Sequence, residues 1–232
     1  MIIYEVINLK KIVFSLLMVM CMPIMVKAQS FDVPSADMSL DIPDSWYTFT
    51  RDNLDGNTEI EDLGLTIDIM NEIMLENDVY VDALNEELEF LVYIVDTEDI
   101  GSLTNYHDFE IEDLGEELVN LNGADTYDIF KNDYKFVRVE YEDSGYYIID
   151  YYTIVDDRAY TFSAQKESEF SDAEKTTVEE IMNSVYFDNF VPTSNDKETV
   201  IVAVGIGLVV VLGVVAIVIA KVKDKNESKE NV

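Results

Sequence analysis

The stretch Thr50 to Asp62, TRDNLDGNTEIED, places Asp52, Asn53, Asp55, Gly56, Asn57, Glu59 and Asp62 within thirteen residues. Oxygen-rich side chains at this density are the ligands a hard cation takes, so the first chemistry to test is calcium binding. A helix–loop–helix calcium loop needs acids at positions 1, 3 and 5, glycine at 6 and a bidentate glutamate at 12. With Gly56 at position 6, Asn53 and Asp55 fall at 3 and 5, but Arg51 falls at 1 and Asp62 at 12. A cation at the first ligand position disqualifies the standard loop. The expectation is an acidic turn around Asp55-Gly56, with no metal site.

His107, in NYHDFE, is the single histidine. To act as a base it would need a nucleophile and an orienting carboxylate, and Asp108 is only its neighbour in sequence. It reads as a helix-entry residue. Carboxylate pairs such as Glu116/Glu117 and Glu179/Glu180 suit acid–base work in principle, but among so many acids they read as solvated helix faces. No G-x-S-x-G, H-E-x-x-H or phosphate-loop motif occurs. The expectation is a protein without catalytic residues and without a cofactor.

The tyrosines are the remaining candidates. Eight lie between Tyr127 and Tyr160, and in YYIIDYY strand alternation puts Tyr147 and Tyr151 on one face and Tyr146 and Tyr152 on the other. Tyrosine suits a half-buried pleated surface, so packing explains most of them. The functional alternative is an aromatic interaction face made by the outward pair, for a protein or glycan partner.

The elements that would carry these residues are legible from periodicity. Short strands are predicted at 38–42 and 46–50, joined by a Pro-Asp turn, as the opening of the domain. A helix over 65–77 carries Leu65, Ile69, Met70, Ile73 and Met74 at helical spacing, with Thr66 as N-cap. Strands follow at 79–84 and 88–95, then a second, acidic helix over 106–121 with Phe109, Leu114 and Leu118 on its buried side. Four alternating strands come next, at 127–131, 134–142, 146–155 and 159–165. Residues 143–145 and 156–157 join the last three as hairpins. A helix over 171–185 with a Ser171/Glu174 capping box closes the domain. Grouped strands and helices predict an α+β fold, an antiparallel sheet with flanking helices.

Two apolar runs frame that domain. Lys10 and Lys11 precede the uncharged run Ile12–Val26, and Val26 and Ala28 stand at −3 and −1 of a small-residue cleavage site, which is secretory signal grammar over residues 1–28. An uncleaved anchor is the alternative. A lipoprotein reading fails on Met20, which precedes Cys21 where a small residue is needed. Near the other end, 200–220 is a run of 21 residues without a charge. As a helix it is about 31 Å long, the thickness of a bilayer's hydrocarbon core. Lys221, Lys223 and Lys225 follow it at once and place the tail, 221–232, in the cytoplasm. VPTSN, 191–195, matches a cell-wall sorting motif outright only at Pro192, so a transmembrane helix is the better reading. The organisation expected is a single-pass membrane protein: signal peptide 1–28, extracytoplasmic α+β domain 29–188, stalk 189–199, transmembrane helix 200–220 and cytoplasmic tail 221–232.

Residues 29–198 hold 44 acidic and 8 basic side chains, a formal charge of −36 in a chain of −33. That surface repels nucleic acid and anionic lipid, so neither is an expected ligand; the membrane contact is the helix alone. The single cysteine, Cys21, lies in the signal segment, so the exported part has no thiol for disulfides, zinc or catalysis.

MSLDIPDSWYTFT is an apolar strand, Ile-Pro-Asp, then a tryptophan and another strand. With the later YKFVRVEYED and GYYIIDYYTIVDDRAYTFSAQ hairpins and the closing helix that ends in NSVYF, it resembles PsbP-like domains over residues 31–187. These include small exported bacterial domains of the DcrB type. The resemblance implies a sheet flanked by helices, no shared catalytic residues, and service as a binding or accessory module. A surface hydrolase and a calcium-dependent surface protein are the competing functions.

Overall fold

The tyrosine-rich run forms an antiparallel meander of four strands, β6 (Tyr127–Lys131), β7 (Lys135–Asp143), β8 (Tyr146–Val155) and β9 (Arg158–Lys166). Two of its three hairpins close through two-residue loops. Ser144 and Gly145 have φ of 52° and 87°, and Asp156 and Asp157 have 48° and 65°. Positive φ at both loop positions matches the twist of the flanking strands, and Gly, Asp and Ser-Gly sequences supply it at low cost. The hairpins at 143–145 and 156–157 are those the sequence predicts.

The computed structural model describes residues 27–188 and 190. The predicted stalk apart from Phe190, the predicted transmembrane helix 200–220, the tail 221–232 and the signal segment up to residue 26 lie outside the described residues. Among the described residues no helix is long and apolar enough to cross a membrane.

β3 (Tyr47–Thr50), β4 (Val79–Leu84) and β5 (Glu89–Asp96) extend the meander to seven strands in the order β3-β4-β5-β9-β8-β7-β6. All its pairings are antiparallel. A second sheet of three strands has the order β1-β2-β10, from Ala28–Val33, Met38–Pro43 and Tyr186–Phe187.

Both faces of the large sheet are covered. On one face, α2 (Ile67–Glu76) packs Met70 and Met74 against Phe49, Val79 and Leu91. On the same face α3 (Asp108–Asn122) packs Ile111, Leu114 and Leu118 against Val137, Val139 and Tyr152. The other face meets α4 (Asp172–Ser184) and the small sheet in the largest cluster, where Val178, Ile181 and Met182 join Leu40, Phe90, Phe136, Tyr151 and Phe162. A short helix, α1 (Glu59–Asp62), buries Ile60 beside α2. This is the α+β arrangement expected, an antiparallel sheet with flanking helices.

The caps are also as expected. Thr66 accepts a hydrogen bond from the Ile69 amide at 3.3 Å. Ser171 and Glu174 form a reciprocal capping box, with the Ser171 amide donating to Glu174 Oε2 at 2.7 Å.

The strands at 38–42 and 46–50 are joined by a turn in which Trp46 N donates to Pro43 O at 3.0 Å, and the chain passes there from the small sheet to the edge of the large one. Three expectations are corrected. These strands do not open the domain: β1 precedes them, starting at Ala28, and pairs along β2 from Ala28↔Pro43 to Val33↔Met38. Phe109 is 62% exposed, not buried. At 100° per residue it sits roughly 160° around α3 from Ile111, so it lies opposite the face that Ile111, Leu114 and Leu118 share. Ile69 is exposed as well, because the buried face of α2 is centred on Met70 and Met74.

Candidate functional site

β7 continues past its neighbour. β6 pairs with β7 only from Lys135 to Val139, while β7 runs to Asp143, so among the described residues Glu140–Asp143 have a partner strand on one side only. Asp125 and Thr126, which lead into β6, border the gap this leaves. The result is an open cleft of about 530 Å³ lined by Arg138, Glu140, Glu142, Tyr147, Phe170 and Lys175, among others. Strand, hairpin, loop and helix each contribute a wall. That volume lies in the range of ligand sites, roughly 300–1,000 Å³.

The cations of the cleft are engaged inside the protein. Arg138 Nη1 contacts Asp128 Oδ2 at 3.3 Å, Nη2 bonds Glu140 Oε1, and Nε donates to the Tyr151 hydroxyl at 3.1 Å. Lys175 Nζ donates to Glu140 Oε2 at 2.7 Å. Burial works against the Glu140 carboxylate, but the Lys175 hydrogen bond and the Arg138 charge outweigh it and hold its pKa below the usual range. The acids at the rim differ. Asp125, Glu142 and Glu169 are exposed and make no ion pair among the described residues. In the strand register Glu142 stands opposite Tyr147. Beside them Lys166, itself buried, bonds Glu174 and lies 6.0 Å from the Phe170 ring centre.

The four predicted tyrosines separate. Tyr147 is half-buried and lines the cleft. Tyr146 is half-buried outside it. Tyr151 is 1% exposed beneath the cleft, packed edge-on to Phe130 at 5.3 Å and holding Arg138. Tyr152 is 3% exposed under α3. Each same-face pair therefore joins one rim residue to one core residue, so neither pair is wholly outward. The reason is that both faces of the sheet are covered at its centre and uncovered only near the hairpin.

A second polar group of residues lies on the α2/α3 face, where the two helices leave the middle of the sheet between their apolar clusters. Asp82, Glu89 and Asp150 project there from β4, β5 and β8. Asp150 is fully buried, and its Oδ2 accepts hydroxyls from Tyr141 at 2.8 Å and Tyr152 at 2.6 Å. Burial raises its pKa, and the hydrogen bonds from Ser163, Tyr152 and Tyr141 offset only part of that. Burial also raises Asp82, and the Glu89 charge adds to it. Burial pushes Glu89 up to about 7 even though Gln165 donates to it. Asp82 Oδ1 and the Tyr93 hydroxyl have no hydrogen-bond partner among the described residues. Among the described residues no lysine or arginine pairs with any of the three carboxylates.

The other candidates have structural places. His107 is the N-cap of α3. Its amide donates to Glu110 Oε2 at 2.9 Å, its ring stacks on Phe109 at 5.7 Å, and no hydroxyl or carboxylate among the described residues bonds that ring. In the acidic stretch, Asp52 accepts from Ser35 N and Oγ, Asn53 from Thr50 N, and Asn57 from Glu59 N. Arg51 donates inward to Val79 O at 2.7 Å and Met74 O at 2.9 Å and covers the Tyr80 ring. The oxygens serve as caps and turn anchors. Among the described residues no group of three His, Cys, Asp or Glu side chains is placed to hold a metal.

Sequence reasoning misses Arg138, Glu140, Phe170 and Lys175, which come together only through the register and the docking of α4. It also misses Asp150, for which a signal exists: an acid in the middle of an otherwise apolar and aromatic strand, flanked by phenols that can bond it.

No protein-family model and no curated sequence matches the chain. It is similar to the solution structure of cyanobacterial PsbP (CyanoP) from Synechocystis sp. PCC 6803, at 10% identity over 72% of this chain and 96% of that one, with a TM-score of 0.43. It is also similar to a crystal structure from Bacteroides thetaiotaomicron VPI-5482, at 13% identity over 68% of this chain and 48% of that one, with a TM-score of 0.41. Superpositions this loose carry no argument about ligand or activity.

Proposed function

We propose that the chain is a membrane-anchored extracytoplasmic binding or accessory module of the PsbP-like kind, without catalytic activity of its own. It meets a protein or glycan partner at the cell surface through the cleft at Tyr147. The cleft carries the reading: it is concave, bounded by Tyr147 and Phe170, and its cations Arg138 and Lys175 are fixed in ion pairs, with no nucleophile beside a base among the described residues. Aromatic anchors in such a setting favour binding over proton transfer. The membrane assignment is supported by the charge-free run 200–220 with lysines behind it and the signal grammar of residues 1–28.

The experiment is chemical crosslinking on intact cells, followed by recovery of the chain and its partner. Tyr147→Ala is expected to lose the partner and His107→Ala to keep it, both with unchanged circular dichroism. Recovery unaffected by Tyr147→Ala, or a hydrolytic activity abolished by His107→Ala, would overturn the reading. An epitope after Val232 is expected to be labelled only once cells are permeabilised, and labelling of intact cells would overturn the topology.

A further inference from the structure

We infer that the occupant of the cleft is a polypeptide segment carrying lysine or arginine, lying in extended form along the open edge of β7. This rests on the cleft being the binding face and adds the class of ligand.

Three observations select that class. First, the cations lining the cleft are already committed to acceptors of the protein, so an anion would have to compete with carboxylates for them. Each guanidinium nitrogen of Arg138 has an acceptor, and Lys175 is bonded to Glu140. Second, the rim acids Asp125, Glu142 and Glu169 have no cation among the described residues, so a positively charged side chain completes them without displacing an existing pair. Glu142 faces Tyr147 across the register, so a cation seated between them meets a carboxylate and an aromatic face together. Third, among the described residues no strand lies on the outer side of β7 beyond Val139. An extended peptide can hydrogen-bond that free main chain as an added strand, which a sugar cannot do. The formal charge of −36 over residues 29–198 would steer such a segment toward the surface, while the cleft would decide where it settles.

The test uses the full chain in nanodiscs of neutral phosphatidylcholine and fluorescence anisotropy at physiological salt. The probe is a labelled peptide alternating lysine and valine. Its versions carry glutamine or glutamate in place of lysine, and one carries N-methyl groups on alternate amides. The lysine peptide is expected to bind about tenfold more tightly than the glutamine peptide, with the glutamate peptide weakest. The variant Asp125→Asn/Glu142→Gln/Glu169→Gln should weaken it about tenfold. Glu61→Gln/Glu72→Gln/Glu98→Gln removes the same charge elsewhere and should weaken it less than about threefold, since distant exposed charges are screened. N-methylation should weaken it as much as loss of the rim acids.

Equal losses in the two triple variants would show that only the net field acts, and the inference would fall. Equal or better binding of the glutamine or glutamate peptide would also overturn it. If no lysine peptide binds while Tyr147→Ala still abolishes crosslinking to the cellular partner, the ligand class is wrong and the binding-module reading stands. If Tyr147→Ala leaves that crosslinking intact, the parent reading itself fails.

Discussion

Tyr152 donates its hydroxyl to Asp150 Oδ2 at 2.6 Å, both side chains sealed between the large sheet and α3. With Tyr141, the two phenols satisfy Oδ2 of a carboxyl group that sits in the interior without a cation, while its Oδ1 has no hydrogen-bond partner among the described residues. The bond also fixes Tyr152 as a core residue. Removing one donor leaves the carboxyl under-satisfied, so Tyr152→Phe should lower unfolding free energy by about 1–3 kcal/mol. Urea unfolding should show a lower midpoint with an unchanged slope. A midpoint equal to that of the native chain would show that the bond contributes nothing.

Glu89 gives a pH dependence opposite to ordinary acid denaturation. Its folded pKa is raised by burial to about 7, above the value of an exposed glutamate. The folded state therefore holds a proton that the unfolded chain releases. Below the unfolded pKa both states are protonated and the group is neutral to stability. As pH rises from there toward 7, stability falls, by an amount on the order of 3 kcal/mol from this group, and then levels off. Asp82, raised in the same direction, adds to the slope. Glu140 and Glu174, held below the usual range, act in the opposite sense and only at lower pH, so they do not mask this window. Glu89→Gln should flatten the decline of the urea midpoint between pH 5 and 7.5. Parallel curves for the two proteins would contradict the assignment.

Gly115 inverts the usual helix rule. In the interior of α3 alanine would ordinarily be favoured over glycine by about 1 kcal/mol. Here an added Cβ would lie 2.5–2.7 Å from Cδ2, Cε2 and Cγ of Tyr127. Because Cγ is among those atoms, the whole ring would have to move. Gly115→Ala should cost about 1–3 kcal/mol by overpacking, and Tyr127→Ala in the same chain should recover part of it. Two independent, additive losses in the double variant would show that the two residues do not constrain each other.

What was legible follows a pattern. Ser171 and Glu174 act within four residues of each other, as do Thr66 and Ile69, and the two tight hairpins are equally local. Rules of that range needed nothing from the rest of the chain. The strands of the meander were legible too, because alternation and tyrosine content survive burial. What was missed was set at longer range. β2 and β3 are separated by one turn yet belong to different sheets, since β2 finds β1 and β10, and β3 finds β4. The cleft joins Arg138 to Lys175, 37 positions apart, through a shared carboxylate on Glu140. Acid density hid Asp82, Glu89 and Asp150, because composition alone cannot distinguish two buried carboxylates and a half-buried one from dozens of solvated ones. Phe109 is different: its angle around α3 could have been computed from the sequence.

The acidic turn at Asp52–Asp62 gives a negative prediction, with magnesium as the control. Its Asp52, Asn53 and Asn57 oxygens already accept hydrogen bonds from Ser35, Thr50 and Glu59, and Arg51 is turned inward. Millimolar calcium, on the order used by weak extracellular sites, should move the melting temperature no more than magnesium at the same ionic strength. A calcium-specific rise that disappears in Asp55→Ala would mean that the turn reorganises around the ion.

The tyrosines of β8 provide the sharpest separation of binding from folding, provided they are changed singly. Tyr147 and Tyr151 share a face but not an environment. Tyr147 lines the cleft, whereas Tyr151 is 1% exposed, packed on Phe130 and hydrogen-bonded to Arg138. Changing both together would unfold the domain and hide any role in binding. Tyr151→Ala removes a full aromatic ring from the core and should cost about 3–5 kcal/mol, enough to unfold a marginal domain. It should also release Arg138 from its position at the cleft floor, so a weakened cleft accompanies whatever fraction stays folded. Tyr147→Ala uncovers little core and should change stability by less than about 1 kcal/mol. Loss of an aromatic anchor costs on the order of 2 kcal/mol in a binding site, which is roughly a thirtyfold drop in affinity. Paired measurements of thermal unfolding and crosslinked partner recovery for the two single variants decide the matter. A folded Tyr147→Ala chain with full recovery would leave the tyrosine as packing alone. A folded chain with recovery lost would assign the rim ring to the partner and the inner ring to the core.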